Sequence, residues 1–373
     1  MAAFFVWPNP GDMKKIFLVA VFVPVLMFSC RSCGRLIESP ALLAAAVLVV
    51  WANISAFWSA GFDWRLYGDL ASYSVFLLTF LALSSRLAEE ETAGIHSLAG
   101  ALTVVAAVSA TVSIIYWYQT HEFPWSRLVG FGPQVNPNTS VVIYAWMALA
   151  GVMLAIRETR LFVRVLLASC TIMLLVAVLL TQSNTGILAC AVALMLLLFL
   201  LVKEGGAGRY VLALIVLGVA AGIYALHSFG LTGDGVDSGL VSRQLRWFAI
   251  MEYVSQAPIL GNGYLKDALI AYGPQGGMEN HAHNAFLGIA RDGGLIGLLL
   301  FLVMFGVWLR QGMALFREKG YVAPLVFWLH AFVYMLAEID QVIGKPSYIW
   351  VFFWLPLAYT AGMYSHILNE RRA

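Results

Sequence analysis

Residues 164–202 read RVLLASCTIMLLVAVLLTQSNTGILACAVALMLLLFLLV, two apolar runs (164–181 and 185–202) joined by the polar hinge Thr181-Gln182-Ser183-Asn184-Thr185. A helix needs about 17–25 apolar residues to cross a hydrocarbon core of about 30 Å, and each run is that long. In lipid every backbone N–H and C=O must find a partner inside its own segment, so such runs are helices. The hinge has two readings. It is either an ordinary tight turn at a membrane surface or part of the floor of an outward-facing cavity, with Asn184 among the lining residues.

The rest of the chain repeats this pattern. Of its 373 residues, 61% are hydrophobic and 11% charged, and mean hydropathy is +0.83. A soluble domain carries about 25% charged residues, so this chain has too little charge to cover a water-facing surface. Further spans read at 16–30 (broken by Pro24), 40–59, 66–84, 95–118, 139–156, 210–227, 293–309, 321–337 and 347–367. The expected fold is an all-α polytopic transmembrane bundle of about 11 spans (roughly 10–12), one integral membrane domain over residues 1–373. Residues 16–30 lack a clear small-residue cleavage site and read as an anchor rather than a removed signal. Cys30, Cys170 and Cys190 lie in or beside apolar runs and Cys33 in a basic loop, a spacing that makes neither a disulfide framework nor a metal site. The net charge of +2 comes without a basic stripe, which argues against nucleic acid as a partner. The chain shows no phosphate-binding GxxxxGK[ST] loop, no GxGxxG on a strand and no GxSxG, so no nucleotide chemistry is expected.

Lys and Arg set the orientation, because short cytoplasmic loops are rich in them. Arg31 and Arg35, Arg86, Arg157, Arg160 and Arg164, Lys203 and Arg209, Arg310, Arg317 and Lys319, and Arg371 and Arg372 fall on one side. Arg65, Arg127 and Lys345 fall on the other, with Lys14 and Lys15 against the trend. This puts residues 228–292 outside, as the one long external loop. The loop opens with Gly230–Gly239, read as turns. An amphipathic helix follows at 242–254, with Trp247, Phe248, Met251 and Tyr253 suited to an interface, and Pro258 and Gly261 stop it. Gly273-Pro274-Gln275-Gly276-Gly277 forces a further turn, and residues 284–291 read as a short helix ahead of Gly293-Gly294. A second external loop, 119–138, carries His121, Glu122, Arg127 and Asn136-Pro137-Asn138.

The chemistry concentrates in His281-Ala282-His283-Asn284, a titratable cluster in a chain otherwise almost wholly apolar. An imidazole exchanges protons near neutral pH. His283 reads either as a general base for a hydroxyl nucleophile, with Asn284 orienting the ring or a substrate, or as the cap of the helix that follows. His281, two residues away, raises a metal site, but no further ligand motif accompanies the pair and none is expected. Arg243 and Arg246 share a helix face; an Arg fork matches phosphate geometry, or else snorkels to lipid headgroups. The same pair of readings holds for Arg127. Arg291 and Asp292 read as a local ion pair, and Glu338 and Asp340 as solvated carboxylates at a span end. His330 is the best intramembrane titratable candidate, a thin basis for a transporter. The tryptophans near span ends (Trp51, Trp58, Trp117, Trp350, Trp354) read as interfacial belts.

Three patterns occur in order around the long loop. They are Asn136-Pro137-Asn138; Arg243-x-x-x-Trp247 with Pro258-Ile259-Leu260-Gly261-Asn262-Gly263; and His283-Asn284 followed by Gly294-Leu295-Ile296-Gly297 and Phe301. Together they resemble the O-antigen ligase and polymerase superfamily of bacterial membrane glycosyltransferases, over about residues 120–310, and most of all its ligases. Many relatives carry Arg after the Ser corresponding to Ser183, where this chain has Asn184. The resemblance implies transfer of a glycan from undecaprenyl diphosphate to the lipid A–core oligosaccharide, at the periplasmic face of the inner membrane. It implies no metal, nucleotide or other cofactor. The roles it implies are His283 as base with Asn284 orienting it, and Arg243, Arg246 and Arg127 on the diphosphate. His281, Asn138 and Asn184 would line the substrate space. A polymerase of the same superfamily is the near alternative, and a lipid-linked glycan transporter or flippase the distant one.

Overall fold

A computed structural model describes residues 38–90, 92–132, 134, 136–204, 235–265, 270–272, 277–279 and 281–371. The expected spans at 16–30 and 210–227, with Lys14, Lys15, Cys30 and Cys33, lie outside the described residues.

The described chain is almost entirely helical: α1 Pro40–Ser55, α2 Trp64–Glu90, α3 Thr92–Trp117, α4 Pro137–Arg157, α5 Leu161–Leu180, α6 Asn184–Glu204, α7 Gly235–Gln256, α8 Ala285–Lys319, α9 Ala323–Met335 and α10 Leu355–Glu370. Seven of these helices are long and apolar enough to cross a membrane: α1 to α6 and α8. Helix α9 is apolar but has only 13 residues. The run expected at 347–367 divides into a π-helical turn, Trp350–Trp354, and α10. The all-α expectation needs one amendment. Ile270–Tyr272 (β1) and Gly277–Glu279 (β2) pair antiparallel, flanking the glycine- and proline-rich turn read from sequence.

Helix α4 is the centre of the bundle, with 83% of its apolar window buried. It packs mainly on α5, while α1 packs on α8, α2 on α10, and α6 on α9. Its start is written in the Asn136-Pro137-Asn138 motif. Asn136 is the N-cap, accepting from the Thr139 amide at 2.8 Å, and Pro137 needs no N–H in the first turn. At the other extreme, α8 ends at Gly320, whose φ of 66° is the left-handed conformation glycine adopts freely.

Helix α7 corrects the reading of Gly230–Gly239 as turns: the helix begins at Gly235. An interior glycine costs about 1 kcal/mol relative to alanine, and a helix of 22 residues carries that cost at Gly239. The short helix expected at 284–291 is present as the first limb of α8, because Gly294 (φ 65°, ψ −165°) breaks the 35-residue helix.

Candidate functional site

The break at Gly294 explains two of the sequence patterns as one device. An unbroken helix would bond the Leu295 and Ile296 amides to the Arg291 and Asp292 carbonyls. Instead those amides donate to the Pro258 and Ile259 carbonyls at 2.8 and 3.3 Å. The Arg291 and Asp292 carbonyls accept from the Asn262 and Gly263 amides, both at 2.9 Å. Residues 258–263 thus form a strap that supplies partners for these four groups at the break. A Cβ on Gly294 would collide with the Ile259 carbonyl, and one on Gly261 with the backbone of Asp292 and Gly294. Trp51 and Trp58 close the joint by donating to the Gly293 and Gly261 carbonyls at 2.9 and 3.1 Å. Both tryptophans therefore have a specific bonding role beyond that of an interfacial belt.

The strap holds the first limb of α8, and that limb begins at the histidine pair. Asn284 is its N-cap: Oδ1 accepts from the Phe286 and Leu287 amides at 3.0 and 3.1 Å. Of the two readings of the helix start, the cap is Asn284 rather than His283. His283 has φ of 47°, a left-handed conformation that non-glycine residues rarely adopt. The His281 and His283 ring centroids are 6.1 Å apart.

Each histidine faces a carboxylate from the segment after α9. His283 Nδ1 lies 4.0 Å from Glu338 Oε2, and His281 Nδ1 lies 3.6 Å from Asp340 Oδ2. These separations suit charge pairing and exceed a normal hydrogen bond. The two carboxylates, read as solvated, are buried: their side chains are 4% and 6% exposed. Arg291, read as a local partner of Asp292, is a buried hub. It binds Asp292 through Nε and Nη2 at 2.7 and 3.0 Å and Asp340 through Nη2 at 3.0 Å. Gln341 donates to Asp292, and the Ala282 amide donates to Asp340 at 2.7 Å. Burial pushes the Asp340 carboxyl up. The nearby His281 imidazole, the Arg291 charge and the Ala282 amide together outweigh it and hold the group below its ordinary value of 3.8.

A second chain of contacts joins Glu338 to the segment leading into α4. Asn138 Nδ2 donates to Glu338 at 2.8 Å, while Asn138 Oδ1 accepts from Arg127 Nη2 at 3.0 Å and from Ser183 Oγ at 2.9 Å. The Asn138 carbonyl accepts from the Tyr334 hydroxyl at 2.6 Å, and Arg127 Nε donates to the Thr181 carbonyl at 3.2 Å. Of the two readings of the hinge, its Thr181 and Ser183 belong to this network, and Asn184 is exposed beside them at the start of α6.

The fold therefore joins Arg127, Asn138, His281, His283 and Asn284 in one neighbourhood. Arg246, half-buried on α7, adjoins Trp247, whose indole donates to the Ala282 carbonyl between the histidines at 2.9 Å. The side chain of Arg243 lies outside the described residues. Sequence reasoning undervalued Glu338, Asp340, Ser183 and Tyr334. The signal for the carboxylates was there: Glu338-x-Asp340-Gln341 is a dense polar group in a greasy chain, at the same end as the histidines.

Residues 169–302 match the family model described as O-antigen ligase. The matched stretch runs from within α5 through the hinge, α7, the strap and the histidine pair to beyond the kink. Over 359 residues the chain is 24% identical to an O-antigen ligase of Pseudomonas aeruginosa, covering 93% of this chain and 84% of the relative. The chain is thus similar to the O-antigen ligases, as its motifs indicated, and its apolar helices fit a multi-pass bacterial membrane protein of lipopolysaccharide biosynthesis.

Proposed function

We propose that this protein is an O-antigen ligase. It transfers a glycan from undecaprenyl diphosphate to a hydroxyl of the lipid A–core oligosaccharide, at the periplasmic face of the bacterial inner membrane. The observation that carries the reading is the coupling of His283, through Glu338 and Asn138, to Arg127, an imidazole and a guanidinium in one polar neighbourhood. In this account about 11 spans cross the membrane and residues 228–292 form one periplasmic loop.

An acceptor hydroxyl is a weak nucleophile, and His283 takes its proton as the oxygen attacks the anomeric carbon. The bond from that carbon to the diphosphate oxygen breaks, and undecaprenyl diphosphate leaves with the electron pair. Glu338, on the Nδ1 side, stabilises the imidazolium that forms. Arg127 and Arg246, with Arg243, stabilise the charge developing on the diphosphate. Asn284 holds the first limb of α8 and so orients the His283 backbone; Asn138, His281 and Asn184 line the substrate space. The donor is already activated, so the chemistry needs no nucleotide, metal or other cofactor.

The test is transfer by purified protein in nanodiscs, given undecaprenyl-diphosphate-linked glycan with or without lipid A–core. Glycan on lipid A–core is the expected product. Lengthened donor chains without any transfer to lipid A–core would make the protein a polymerase and overturn the proposal.

A further inference from the structure

At the end of the bundle away from the histidines, a cavity of about 200 Å³ lies between α2, α3, α4, α9 and α10. Arg157, on its rim, stands about 30 Å along α4 from Asn138. The walls are apolar, built from Leu87, Leu98, Leu102, Ala150 and Phe327. Leu87 and Leu98 are also 56% and 58% exposed, so the mouth opens through the side of the bundle, the surface that faces lipid. An apolar cavity of about 150 Å³ already holds benzene; this larger one suits a stretch of aliphatic chain.

The rim has one sign of charge. Its titratable groups among the described residues are Arg157, His96 and Tyr359. Arg157 ends α4 and is exposed, and its contact with the Gly320 carbonyl is long, at 3.4 Å. The neighbouring carboxylate, Glu158, is taken by Arg160 at 3.2 and 3.3 Å. An apolar slot open to lipid beneath a guanidinium and an imidazole fits a chain with an anionic head.

We propose that this cavity binds one anionic glycerophospholipid of the leaflet opposite the histidine site. One acyl chain fills the slot, and the phosphate rests on Arg157 with His96 beside it.

Native mass spectrometry of the full chain in mild detergent, titrated with phosphatidylglycerol or with phosphatidylethanolamine of the same acyl chains, tests it. The parent should retain one phosphatidylglycerol, with about fivefold preference over phosphatidylethanolamine, the worth of one Arg near an anionic surface. Arg157→Gln should keep retention and lose the preference. Ala99→Trp, which fills the slot, should lose retention of both lipids while its unfolding temperature stays within a few degrees of the parent's. Equal retention of the two lipids by the parent would overturn the proposal, as would an unchanged preference in Arg157→Gln. Displacement of phosphatidylglycerol by an equal amount of undecaprenyl phosphate would also overturn it, by assigning the cavity to the donor's tail.

Discussion

The two histidines of the cluster differ by the company each keeps. Glu338, paired with His283, accepts a hydrogen bond from Asn138, so Glu338→Gln keeps a shape that can bond while removing the charge. A unit charge at about 4 Å is worth about 4 kcal/mol at an effective dielectric of 20, less where the imidazole meets water. Glu338→Gln should therefore lower kcat by about 10- to 100-fold and leave KM for the donor nearly unchanged, read from initial rates. Asp340, paired with His281, gives a stability signature instead. Its carboxyl is depressed in the folded protein, so its contribution is full above the unfolded value of 3.8 and is lost as pH falls through the lower folded value. Thermal unfolding followed against pH should show this group's contribution unchanged between about pH 7 and about pH 5, and lost progressively below about pH 4. Asp340→Asn should be less stable at neutral pH and should flatten that acid-side fall. Much of the cluster was legible in the residues, since a His pair beside a span start is conspicuous in so apolar a chain. The burial of Glu338 and Asp340 was not, because a carboxylate after an apolar run is solvated unless distant segments bring it polar partners, here Asn138 and His283 for Glu338 and Arg291 for Asp340.

Among the elements, the break in α8 shows which motif residues serve geometry. Gly294 adopts a left-handed φ of 65° against the strap, whereas Gly306 of the same helix has open space where a Cβ would be. Gly294→Ala should destabilise the protein by about 1–3 kcal/mol from backbone strain, with the collision added. Gly306→Ala should be neutral or stabilising by up to about 1 kcal/mol. Melting temperatures of the two variants, measured side by side, check the contrast. Most helices were readable because 17–25 apolar residues in lipid have few other options. The start of α7 was misread because glycine and aspartate between 230 and 239 match turns and helix ends alike. The strap was quoted as a motif, but its partner could not be read, since it completes hydrogen bonds broken 30 residues later.

For the molecule as a whole, the residues of the site come from the segments leading into α4 and α8 and from the segment after α9, and the bundle brings them together. We propose, from the distribution of Lys and Arg, that this end faces outward. Cysteine put in place of His281 should react with a membrane-impermeant maleimide in spheroplasts, and cysteine in place of Arg160 only after lysis. The reverse pattern would invert the topology. The most direct test of the central claim is the rate of glycan transfer to lipid A–core by purified His283→Ala beside the parent, both in EDTA and both shown to unfold at the same temperature. The account predicts that the parent transfers glycan and the variant is slower by about 10²–10⁴-fold. A folded His283→Ala that transfers at the parent's rate would contradict it.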